Sequence, residues 1–134
     1  WIDGSEDSTF SRIFAAGTGL AGEMVSPEER SAFWHRIAFC NFAGHVGKHR
    51  SDRPTIRHYT RGVDHLHEIL DELQPDAVWI LGREQANYSK AVVEAREIAC
   101  IVSTHPGYRG GVASAELRAS WLSLLEAASV REKD

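Results

Sequence analysis

Apolar residues along this chain follow two patterns. Val63, Leu66, Ile69, Leu70 and Leu73 recur at three- and four-residue steps, which puts them on one face of a helix. That helix is predicted to start near Pro54 and to end before Pro75. Leu117, Trp121, Leu124 and Leu125 repeat the pattern and predict a closing amphipathic helix over residues 113 to 128. Two shorter helices are expected upstream. STFSRIFAA, residues 8 to 16, has Ser8 as a candidate N-cap. SPEERSAFW supplies a helix start, with Ser26 to cap, Pro27 for the first helical position and Glu29 to complete a capping box. This helix should run to about residue 35.

The second pattern is the unbroken apolar run. RIAFCNF at residues 36 to 42, DAVWILG at 76 to 82 and IACIVS at 98 to 103 show no apolar-polar alternation. Each predicts a strand buried on both faces. Helical segments separate them, including REQANYSKAVVEA after the second. Buried strands alternating with helices predict an α/β fold, a short parallel sheet in a three-layer α/β/α arrangement. In such sheets, functional residues lie beyond the carboxyl ends of the strands. Asn41-Phe42, Gly82-Arg83 and His105-Pro106 occupy those places.

A length of 134 residues suits one domain, residues 1 to 134. No apolar run approaches the roughly 18 residues of a membrane span. The opening WIDGSEDSTF has neither the basic nor the apolar region of a secretory signal. The two cysteines, Cys40 and Cys100, lie in apolar runs and are expected as small buried hydrophobes in a cytoplasmic protein. They are too few for a four-thiolate iron–sulfur cluster. The net charge of -4 argues against a general polyanion binder. The charge is uneven, however: Lys48, Arg50, Arg53, Arg57 and Arg61 face only Asp52 in their stretch, whereas residues 64 to 76 hold five acids and no Lys or Arg.

Candidate chemistry sits at the predicted strand ends. Asn41 offers one acceptor and two donors, enough to read a nucleobase edge. It is equally the residue type that binds its own loop backbone. His105 is followed by Pro106, which sets a turn, and by Gly107, Gly110 and Gly111, which let backbone come close to a ligand. A histidine that only anchors the loop is the plainer alternative. Tyr108 and Arg109 join an aromatic ring to a guanidinium, suited to stacking and phosphate contact, or else form an ordinary exposed pair. Arg53, Arg57 and Arg61 recur every four residues, as a basic stripe for a phosphate backbone or as a solvated face paired to acids. The remaining histidines give no metal-site spacing. His45 and His49 are separated by Gly47, and His65 and His67 would point different ways on a helix. No metal, dinucleotide or phosphate-loop motif is present, and no cofactor is expected.

Taken in order, FWHRIAFCNF, RPT, LDELQPDAVWILG and STHPGYRGG…LRASWLSLLEA resemble the uracil-DNA glycosylase-like superfamily, most closely its cluster-free branch. The resemblance runs from Phe33 to Ala127. It implies a four-stranded parallel sheet flanked by helices, and an enzyme that flips a damaged base from DNA and cuts its N-glycosidic bond. Asn41 matches the family's base-reading asparagine. His105 matches the histidine that stabilises negative charge on the departing base. Gly107 stands where the family has serine in the substrate-binding turn, a change expected to loosen a phosphate contact. Tyr108 and Arg109 fall in the loop that presses into the minor groove.

The family's first motif, a glycine-containing turn after the first strand that positions water, has no match in this chain. The expected explanation is a strand and motif upstream of Trp1; a degenerate member or a strand from another chain are the alternatives. The functional expectation is therefore a base-excising hydrolase acting on uracil or another deaminated base in DNA, without metal or organic cofactor. A non-catalytic binder of nucleic acid or a nucleobase on the same pocket is the alternative, and a partner-binding α/β domain without pocket chemistry is the plainest reading.

Overall fold

The computed structural model describes residues 8–19, 25–43, 53–106 and 112–133. Its elements run α1 (Ser8–Thr18), α2 (Pro27–His35), α3 (Ile56–Leu73), β1 (Ala77–Leu81), α4 (Arg83–Ala95), β2 (Ala99–Ser103) and α5 (Ser114–Lys133). The chain is thus mixed α/β, with five helices and one two-stranded parallel sheet among the described residues.

The helix boundaries follow local chemistry. Ser26 is extended and its hydroxyl accepts from the Glu29 N–H at 3.1 Å, with Pro27 in the first turn of α2. At the start of α3 the Thr55 N–H donates to the His58 Nδ1 at 2.9 Å. Gln74 ends α3 in the left-handed region, with φ of 45°, and its N–H returns to the Leu70 carbonyl at 3.0 Å. Pro75 then prevents continuation.

β1, α4 and β2 form one β-α-β unit, with Ala77 beside Ala99 and Leu81 beside Ser103. Residues alternate across the pair. Val78 and Cys100 pack on Leu66 and Leu70 of α3 and Val93 of α4. Trp79 turns the other way, onto Trp121 of α5 with ring centroids 6.0 Å apart, and its indole N–H donates to the Ser103 hydroxyl at 2.9 Å. Helices therefore cover both faces, α3 and α4 on one and α5 backed by α1 on the other. The least accessible side chains, Val93, Ala99, Leu117 and Ser103, mark the two packing seams.

One predicted strand is absent. Residues 37 to 43 are irregular, and Ala38, Phe39, Cys40 and Asn41 are exposed. The apolar run is used to wrap helices instead of pairing with a strand. The Phe39 ring meets Phe10 of α1 edge-on at 4.9 Å, and Phe42 lies on Tyr59 of α3 at 6.2 Å. Cys40 is accordingly not the buried strand residue expected, although partial burial still pushes its thiol pKa up. Cys100 does lie in β2, half-buried. Two residues assigned to buried stripes are exposed: Leu73 at 52% and Leu125 at 47%. Both lie at the margin of their stripe, where Leu70 and Leu124 take the core position.

Candidate site at the carboxyl ends of the strands

The two strands end side by side. After Leu81, Gly82 takes φ of 122°, a conformation that side chains disfavour. Its N–H donates to the Ser103 carbonyl at 2.9 Å, which carries the parallel ladder one residue past β1. Ser103 is held twice, since its hydroxyl accepts from Trp79 and donates to the Thr104 carbonyl at 3.2 Å. The chain then leaves the sheet through Thr104, half-buried His105 and buried Pro106. His105 thus follows a strand end anchored by both backbone and side-chain bonds. Gly107, Tyr108 and Arg109 lie outside the described residues, as do His45 and His49.

Arg12 of α1 also reaches this edge. Its Nη1 donates to the Pro106 carbonyl at 2.8 Å and its Nη2 to the Val112 carbonyl. Nothing in the spacing of STFSRIFAA signals this contact, because the bonded residues are 94 and 100 positions apart.

Asn41 is exposed on the irregular segment, not at the tip of a strand. Its neighbour Phe42 is tightly held. Gly62 of α3 is buried beneath it, and a Cβ there would overlap the Phe42 carbonyl oxygen. The Phe42 ring lies against Tyr59, and Tyr59 stacks on Tyr88 of α4 at 4.6 Å with planes only 4° apart. Burial first, and then the neighbouring Glu84 carboxylate that it hydrogen-bonds, raise the Tyr59 pKa above the ordinary phenol value. Glu84 lies two residues past Gly82, in the first turn of α4. Contacts therefore lead from Phe42 through Tyr59 to Glu84, in the first turn of α4, and Gly82 just before that helix is bonded to Ser103, two residues before His105. Tyr59 and Gly62 extend the α3 stripe one turn toward its start, at the same three- and four-residue steps that identify Leu66 and Leu70.

The arginine stripe is shorter than its spacing suggests. Arg57 and Arg61 lie one turn apart on α3 and are exposed, but Arg53 precedes the helix. The Arg53 guanidinium faces the Glu84 carboxylate at 3.8 Å. Arg83 faces Glu116 at 3.7 Å, so acids already meet two cations of this edge.

Among the described residues no group of three or more metal-binding side chains comes together. His67 and Asp71 on α3 instead receive Arg96, whose Nη1 donates to Asp71 at 2.6 Å and whose Nη2 donates to the His67 carbonyl at 3.3 Å. A shallow surface depression along α2, lined by Pro27, Glu28, Ser31, Ala32 and His35, lies on a different element from the strand ends. Among the described residues no helix is long and apolar enough to cross a membrane. Comparisons with protein-family models, with curated proteins and with solved structures returned no match.

Proposed function

We propose that this chain excises a uracil-like base from DNA by hydrolysing its N-glycosidic bond, on a uracil-DNA glycosylase-like fold. The observation that supports this reading is the meeting of the two strand ends, with His105 and Pro106 leaving β2 beside the Gly82 turn that follows β1. Open α/β sheets bind ligands at such carboxyl ends.

In this reading the reaction needs little from the protein beyond charge placement. Breaking the bond leaves positive charge on the sugar and negative charge on the base. A His105 N–H aimed at a base oxygen stabilises that charge most in the transition state. Asn41 contributes an amide that can donate to and accept from the edge of the base. Arg53 and Arg57 lie on the side of the DNA backbone, with Arg53 exchanging Glu84 for a phosphate. The residue that positions water is not assigned to any side chain of this chain.

The alternative, a binder of nucleic acid or a nucleobase without cleavage, draws support from the acids. Glu84 and Glu116 oppose Arg53 and Arg83, and the net charge is -4. One experiment separates the readings. The purified protein is incubated with oligonucleotides carrying a single uracil, hypoxanthine or xanthine, and abasic sites are counted. Cleavage that falls by about 100-fold or more in His105→Ala and in Asn41→Ala, with folding intact, is the expected result. Binding of these oligonucleotides with no cleavage by the wild type gives the alternative, and neither binding nor cleavage ends both readings.

A further inference from the structure

We propose that Arg12 is a positioning residue for His105, a role that rests on the base-excision reading above. His105 lies between two fixed points. On one side, Ser103 is held by the Gly82 N–H and by Trp79. On the other, Pro106 is held by Arg12 at 2.8 Å. Pro106 has no N–H, so its carbonyl is the one backbone hydrogen-bonding group it offers, and Arg12 takes it.

The same guanidinium also binds the Val112 carbonyl, so one side chain ties two separate backbone positions to α1. Only a planar fork with several donors does this; a lysine ammonium, a single point of charge, does not reproduce the geometry. α1 is itself fixed. Arg118 of α5 donates to the Ala16 carbonyl at 2.7 Å, a cation at the carboxyl end of a helix. The hold on Pro106 is thus referred back to α5, which packs on both strands. Removing the fork releases the backbone at Pro106, the residue next to His105. A small displacement of a reacting group from its productive geometry is enough to slow chemistry.

The test uses the full chain with Arg12→Gln, Arg12→Lys, His105→Ala and the Arg12→Gln/His105→Ala double variant. Thermal unfolding first establishes that each is folded. The His105 ring resonances are then recorded, with those of His35 and His67 as internal controls. Arg12→Gln is expected to shift or broaden the His105 signals and to leave the controls in place. Base excision by Arg12→Gln is expected to lose roughly 10- to 100-fold in kcat with little change in KM, and Arg12→Lys to recover only part of it. In the His105→Ala background, Arg12→Gln is expected to cost nothing further, because it acts through the imidazole already removed.

Unchanged His105 resonances in Arg12→Gln would overturn the proposal, as would an equal fractional loss with and without His105. Where the wild type cleaves no oligonucleotide, the base-excision reading falls, and the ring resonances alone decide whether Arg12 sets the position of His105.

Discussion

At the scale of single residues, Gly62 and Asp71 make opposite kinds of prediction. Gly62 is required by a close approach: its Cα leaves room for the Phe42 carbonyl, and through Phe42 it fixes where Asn41 leaves the helical layer. Gly62→Ala adds favourable helix propensity but forces the 41–43 segment outward. The steric effect wins, because overpacking typically costs about 1–3 kcal/mol and the propensity gain is at most about 1 kcal/mol. A thermal melt should show Gly62→Ala less stable than the wild type, and a melting point equal to or above it would remove the claimed contact.

Asp71 concerns a surface charge. The hydrogen bond from Arg96, the first cause, and its positive charge hold the Asp71 carboxyl below the ordinary carboxylate range. A depressed folded pKa contributes stability that is present above the unfolded value, about 3.9, and is lost as pH falls through the lower folded value. The pair is exposed, so the effect is small. Melting temperatures of wild type and Asp71→Asn, taken from neutral pH downward, should differ slightly at neutral pH and converge in acid. A gap that widens on acidification would contradict the assignment.

At the scale of elements, legibility tracked how local the deciding interaction is. β1 and β2 were readable because each is a short unbroken apolar run that ends in a turn, at Gly82 and at His105-Pro106. α2 was readable because Ser26, Pro27 and Glu29 carry its start within four positions. The run at 36–42 has the same composition as a strand, yet Phe39 and Phe42 find ring partners on α1 and α3, and no neighbouring strand competes for them among the described residues. The carboxyl-edge location of His105 was therefore legible, whereas the exposure of Asn41, the Tyr59–Tyr88 stack and the Arg12 fork were not. Each depends on residues far apart in the chain, and no local spacing encodes them.

The same logic predicts where α2 is vulnerable. It has no fully buried residue, so its nine residues depend on their cap more than the core helices do. Ser26→Ala should cost about 1 kcal/mol. The loss should appear as a fall of a few degrees in melting temperature and as faster amide exchange confined to α2. Unchanged exchange there would mean that the packing of Phe33 on Phe14 and Trp121, and of Trp34 on Phe14, carries the helix without its cap.

At the scale of the whole molecule, base binding in the proposed reading depends on one edge of the sheet. Two strands in parallel register and an α4 that begins just beyond β1 bring the Gly82 and His105 turns to the same end of the sheet, and the Arg53–Glu84 pair brings the residues before α3 next to the start of α4. The basic side chains at this end are partly offset by Glu84 and Glu116. Affinity for DNA in this reading therefore comes from pocket contacts with a flipped base more than from a general field, in keeping with the net charge of -4.

The most direct measurement is a titration followed by NMR. Uracil, and then a uracil-containing oligonucleotide, is added to the full chain while the Asn41 side-chain amide and the His105 ring signals are tracked. Both signals are expected to move together along one saturation curve. Movement of one without the other, or of neither at saturating oligonucleotide, would contradict a shared base site at the carboxyl ends of β1 and β2.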